Sequence, residues 1–239
     1  MSSTTNNQPQ PAVEPAGPWT QALWAAGGQT AAAIQDSPFV RALLDGSLSE
    51  ERFSFYLAQD ALYLAGYARA LAALAARCDH PADQTAWAQS SIACLTEEVD
   101  MHRTWLAERP RTATAEPSTV TAAYTDFLLA SALGHDRVVG ASAVLPCFWL
   151  YAQVGASLPA VAQDHPYAAW LETYRDPEFV IATQTALERV ERELAASSPD
   201  GRRAAQRAYL TACRHELEFF DQALHLGPED TAVPGARVL

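Results

Sequence analysis

A run of apolar residues from 138 to 158 constrains this chain more than any other feature, because after Arg137 no charged residue occurs until Asp164. A helix that is apolar on every side must be covered on every side, so the run predicts the buried centre of a helical assembly. It is long enough to cross a membrane, but Pro146, Gln153, Gly155, Pro159 and many small residues suit a protein core better. Cys147 and Tyr151 stand near its middle, four residues apart and so on one face. Pro146 removes the donor that the Ser142 carbonyl would use, which predicts a bend beside the thiol. A thiol and a phenol so placed serve either packing or chemistry, and taken alone a free cysteine more often packs.

The rest of the chain supplies helices to surround that centre. Ser37-Pro38, Ser49, His80-Pro81, Ser118, Asp176-Pro177-Glu178 and Ser198-Pro199-Asp200 read as helix starts, with a cap residue or a proline at the first turn. Gly46 and Gly134 read as stops, a short helix begins at His165-Pro166-Tyr167, and no alternating strand pattern or repeat is visible. Alanine is abundant, which favours helix. An all-α fold in one domain over residues 19–227 follows, with residues 1–18 as a disordered tail rich in Ser, Thr, Asn, Gln and Pro and 228–239 as a second tail.

Charge and cysteine usage limit the function. A net charge of -12 over 239 residues disfavours a nucleic-acid partner, which needs a basic face. The four cysteines are far apart and make no zinc-like spacing, so reduced thiols in a cytoplasm and no metal are expected.

Polar residues at core positions carry the chemistry. Phe53, Tyr56, Leu57, Asp60, Tyr63, Leu64 and Tyr67 follow helical spacing, which turns the Asp60 carboxylate inward beside two phenols. In the last helix Tyr209, Cys213, Glu216, Leu217, Phe220 and Leu224 form the apolar stripe, whereas Thr211, Arg214, His215, Glu218 and Gln222 fall on the opposite, wet face. Of two neighbouring glutamates only Glu216 is asked into the core, where a carboxyl without a partner is pushed toward its neutral form. Glu98 and His102, a turn apart, read as a structural pair.

These inward residues lie in a set of motifs that resembles the TenA family of thiaminase II, the aminopyrimidine aminohydrolases. The motifs are Gln59-Asp60-Ala61-Leu62-Tyr63, Glu98-Val99-Asp100-Met101-His102, Tyr124, Leu145-Pro146-Cys147-Phe148-Trp149-Leu150-Tyr151, the segment from His165-Pro166-Tyr167 through Trp170 to Tyr174, and Glu216-Leu217-Glu218-Phe219-Phe220. The resemblance implies a heme-oxygenase-like helical bundle, a cytoplasmic homotetramer and no cofactor. It also implies hydrolysis of 4-amino-5-aminomethyl-2-methylpyrimidine to the hydroxymethyl compound and ammonia in thiamin salvage, with thiamin as a slower substrate. By the same resemblance Cys147 is the nucleophile, Glu216 the proton donor, and Tyr63 the phenol that raises the thiol's nucleophilicity. Asp60 would bind the aminopyrimidine edge, Tyr151 and Tyr174 would contact the substrate, and Tyr124 and Phe219 would line the pocket. Two other readings remain: a di-iron oxidase of the same fold using Glu97, Glu98, His102, Asp221 and His225, and a protein that binds pyrimidines without turning them over.

Overall fold

A computed structural model describes residues 9–107, 116–157 and 164–225, with the side chains of 97–107 excepted. The Glu98 and His102 side chains and residues 226–239 therefore lie outside the described residues. Each predicted helix start is used. The described helices are α1 (Pro18–Asp36), α2 (Pro38–Asp45), α3 (Glu50–Ala76), α4 (Pro81–Ala107), α5 (Thr119–Gly134), α6 (Arg137–Ala156), α7 (Ala168–Thr173), α8 (Pro177–Ala196) and α9 (Pro199–Asp221), the last followed by a short 3-10 turn, Gln222–His225.

Local chemistry sets these boundaries. The side chains of Ser37, Ser49, Ser118, Asp176 and Ser198 each accept a backbone N–H from the first turn of the helix that follows. Gly46 closes α2 with φ 77°, a left-handed conformation that glycine adopts without a Cβ clash. Ser37 does more than cap α2, because its hydroxyl also donates to Asp221 Oδ1 at 2.6 Å and ties that start to the end of α9.

α6 is the axis. It packs against α9, α8, α5, α3 and α7, while α3 lies between α4 and α5, and α1 covers α9 and α8. Residues 138–146 and 148–155 are buried without exception, and Cys147 is the one residue in that stretch that is not. α6 has the length and hydropathy of a membrane span, but 94% of that window is buried inside the protein, which identifies a core helix. The helix continues through Pro146. One turn ahead of the thiol's neighbours, the Tyr67 hydroxyl donates to the Val144 carbonyl at 2.8 Å and pins α3 to α6.

Residues 9–17 are a correction to the expected tail. Val13 is buried, and three hydrogen bonds hold the segment down: Trp149 Nε1 donates to the Val13 carbonyl at 2.8 Å, Ala12 N to Gln153 Oε1 at 2.7 Å, and Trp24 Nε1 to the Pro9 carbonyl at 2.9 Å. The composition of the segment hid this because it docks mainly through its backbone, which composition does not record.

α6 also carries the close approach that seats the end of α7. A Cβ on Gly155 would stand 2.5 Å from the backbone oxygen of Tyr174, and neither partner is a flexible side-chain tip. Gly155→Ala is expected to destabilise the fold by about 1–3 kcal/mol, the usual cost of forcing an extra methyl into a packed core. Chemical denaturation reads it directly.

Candidate active site

Three long helices aim polar side chains at one another. From α3, Tyr56, Asp60, Tyr63 and Tyr67 recur at helical spacing, and each is at most 2% exposed. From α6, Cys147 and Tyr151 face the same way. From α9, Glu216 is fully buried, while Glu218 points to solvent. The choice between the two glutamates made from the stripe is thus the one the fold makes.

Hydrogen bonds order this cluster. The Tyr56 and Tyr151 hydroxyls lie 2.8 Å apart, so α3 and α6 meet through their phenols. Tyr124, on α5, donates its hydroxyl to Glu216 Oε1 at 2.6 Å. Glu216 Oε2, the Tyr63 hydroxyl and the Trp170 indole N–H are buried with no hydrogen-bond partner in the protein. Buried polar atoms are ordinarily paired, and three orphans around one cluster of rings are what a polar ligand would complete.

The electrostatics show the same convergence. Burial lifts the Glu216 carboxyl from an ordinary 4.5 to about 8, the Tyr124 hydrogen bond pulls it partly back, and the charge of Asp60 raises it further. The acid is therefore mostly protonated at neutral pH. Burial is also the main reason the Tyr56 phenol is held well above its usual range, and Asp60, Glu216 and Cys147 all add to the effect. For Tyr63 the largest contribution after burial comes from Cys147. Asp60, Cys147 and Glu216, from three different helices, thus act on the same small volume.

Aromatic rings wall it. Tyr174 lies 4.8 Å from Tyr151 and 4.7 Å from Trp170, ring centre to ring centre. Phe219 is 5.2 Å from Tyr63 and 5.6 Å from Tyr56, and 1% exposed. The inward stripe of α9 is therefore broader than its spacing suggested, because α3 covers Phe219. Tyr124, stacked on Tyr63 at 5.0 Å, also gives its hydroxyl to Glu216. Two residues expected on the wet face are not there: Gln222 is buried, and His215 lies against Tyr124 at 5.0 Å. Glu218 meets His215 Nδ1 at 3.5 Å, with Arg214 turned to Thr211 instead. Tyr56 is a residue the motifs did not single out, although its place on the α3 stripe could have found it.

Among the described residues no group of three or more His, Cys, Asp or Glu side chains could hold a metal ion. Of the ligands imagined for a di-iron site, Asp221 accepts the Ser37 hydroxyl and His225 is exposed. Cys94 and Cys213 are buried, and Cys78 donates to the Leu74 carbonyl, as packing residues do.

The sequence profile of the TENA/THI-4/PQQC family matches residues 30–226. The chain belongs to that family. Its all-helical arrangement is the heme-oxygenase-like fold. The chain is 48% identical over 229 residues to the thiamine biosynthesis multifunctional protein ThiED of Corynebacterium efficiens, covering 95% of this chain and 31% of that protein. It spans about a third of the length of the two ThiED proteins it matches. It is 31% identical over 210 residues to the aminopyrimidine aminohydrolase of Halalkalibacterium halodurans, covering 85% of this chain and 91% of that one. A solved TenA homologue from P. horikoshii OT3 superposes with a TM-score of 0.75 at 30% identity, over 86% of this chain and 97% of that structure.

Proposed function

We propose that this TenA-family chain is an aminopyrimidine aminohydrolase that converts 4-amino-5-aminomethyl-2-methylpyrimidine to the hydroxymethyl compound and ammonia, with thiamin as a second substrate. One observation carries the reading: the single residue of 138–155 in α6 that is not buried is a thiol, and it acts on Tyr56 together with Asp60 and Glu216, and on Tyr63 together with Glu216. The names of the relatives at about 30% identity support it.

The exocyclic carbon of the substrate is a poor electrophile while the ring stays aromatic. In the proposed mechanism the Cys147 thiolate forms a C–S bond to the ring, and the Glu216 carboxyl gives its proton to a ring nitrogen. The aminomethyl group carries its own proton near neutrality as an ammonium, so the dearomatised ring expels it as neutral ammonia. Water adds through its oxygen at the methylene and gives up one proton to solvent. The C–S bond breaks with its electron pair returning to the thiolate, and the ring proton returns to Glu216 as aromaticity is restored. The net change is one water consumed and one ammonia released. Asp60 accepts from the ring's amino edge, the Tyr63 hydroxyl assists the thiolate, and Tyr151, Tyr174 and Phe219 hold the flat ring. Tyr124 keeps Glu216 in place.

The test is ammonia release from the aminomethyl-pyrimidine, with the hydroxymethyl product identified by mass. Tight binding without ammonia would instead indicate a pyrimidine-binding protein. Tyr124→Phe sharpens the assignment of the acid. The Tyr124 hydrogen bond lowers the Glu216 pKa, so removing it is expected to move the alkaline limb of the rate profile upward by about one pH unit. A homotetramer is part of the same proposal, supported by Ile92 and Leu95, apolar side chains left 60% and 51% exposed on α4. Light scattering at several protein concentrations measures it.

A further inference from the structure

Glu216 has a neighbour whose place in the fold the mechanism above does not use. His215 precedes it on α9 and belongs, by spacing, on the wet side. Instead its side chain is only 18% exposed, and its ring stacks on Tyr124 with centroids 5.0 Å apart and planes at 17°. Phe127 of α5 closes on it at 5.4 Å. Its Nδ1 is buried and faces Glu218 Oε2 at 3.5 Å. A polar ring is thus taken out of water to lie flat on the phenol that holds the acid. Tyr124 is itself stacked on Tyr63 at 5.0 Å and 30°, so its ring touches both the acid's neighbour and the phenol beside the thiol.

We infer that His215 is a positioning residue for the proton donor: its ring is the platform that holds the Tyr124 hydroxyl on Glu216 Oε1. The inference rests on the reading of Glu216 as the acid. A phenol hydrogen-bonded to a buried carboxyl must keep both its distance and its direction, because such bonds weaken steeply as they bend. The Tyr124 ring can swing about its side-chain torsions unless its faces are held. The stack holds it by geometry and not by charge, since burial lowers the imidazole pKa and keeps the ring in its neutral form. The charged groups facing His215 are Glu218 and Arg214, both on its own helix, while α5 presents Tyr124 and Phe127. Around Glu216 stand Tyr56, Asp60, Tyr63 and Tyr67 of α3, Tyr124 of α5, Tyr151 of α6 and Cys213 of α9.

The experiment compares His215→Leu, which fills the volume without a flat face, with His215→Phe, which keeps the face without the nitrogens. Infrared difference titration of the substrate-free protein reads the protonation midpoint of the Glu216 carboxyl, its band assigned by its loss in Glu216→Gln. In His215→Leu the midpoint is expected to rise by roughly one pH unit, tenfold in the ionisation constant, because the Tyr124 bond that lowers it is loosened. His215→Phe is expected to restore the wild-type midpoint. In a Tyr124→Phe background, His215→Leu is expected to add nothing further. An unchanged midpoint in folded His215→Leu overturns the inference, as does a failure of His215→Phe to restore it. If His215→Leu does not fold, the comparison of His215→Phe with wild type decides alone: a shifted midpoint rejects the platform role. The alkaline limb of the kcat/KM profile for ammonia release is expected to move in parallel. Absence of ammonia release from wild type would reject the aminohydrolase reading while leaving the infrared result intact.

Discussion

Cys147→Ser is expected to abolish ammonia release, with a loss of at least about a thousandfold, the scale on which removing a covalent nucleophile acts. A hydroxyl at the same position is close in size and polarity to the thiol, so the effect separates chemistry from packing. Cys147 is only half-buried, unlike residues 138–146 and 148–155 around it in α6, and it packs against the core without being enclosed by it. Stability is accordingly expected to change by no more than about 1 kcal/mol, within the ordinary range for a mild substitution. Helical circular dichroism and a denaturation midpoint measured beside the assay check both halves. Turnover that survives the exchange would refute the assignment of the nucleophile, and with it the covalent route. Retained binding of the pyrimidine by the inactive variant is also expected, since Asp60 and the tyrosines are untouched.

Glu216→Gln carries two expected effects, one kinetic and one thermodynamic. The amide keeps the shape and can still accept from Tyr124, but it has no proton to give, so kcat should fall by about 10²–10⁴-fold with much less change in KM. The thermodynamic effect comes from where the proton sits in each state. In the folded protein the carboxyl ionises at about 8, against an ordinary 4.5 for an exposed one. Below 4.5 both states are protonated and Glu216 makes no difference. Between 4.5 and 8 the unfolded chain gains by ionising while the folded one does not, so wild-type stability falls as pH rises through that window. The slope is at most about 1.4 kcal/mol per pH unit. Glu216→Gln has no such slope, and the variant should gain on wild type from pH 4.5 to pH 8. Denaturant unfolding at those two pH values measures the difference. Equal differences at both would mean that the carboxyl is already ionised in the fold.

The legible part of this protein was local. Helix starts could be placed because Ser37, Ser49, Ser118, Asp176 and Ser198 cap the helices next to them, and a cap acts within a few residues. Asp60 and Glu216 stood out for a related reason, since a charge on an apolar stripe is visible from spacing alone. The errors lie where a residue's environment is supplied from elsewhere. Val13 looked like tail because its partner, Trp149, is far along the chain. His215 looked wet because the α9 spacing cannot know that α5 brings Tyr124 over it. Phe219 sat at the edge of the stripe until α3 closed on it.

A helical chain centred on α6, with Asp60 and Glu216 turned inward, could be read from the sequence alone, because propensity, capping and periodicity are properties of short segments. What each inward group touches follows from the packing of the helices. Tyr124 finds Glu216 across 92 residues and Tyr56 finds Tyr151 across 95. Burial by the surrounding helices keeps the proton on Glu216 and the Tyr124 bond pulls it partly back, while the packing of α3 on α6 brings Tyr63 within reach of the thiol's charge. The reason is that burial and hydrogen bonding are assigned by whichever helices pack against a residue, and packing partners are not neighbours in the chain.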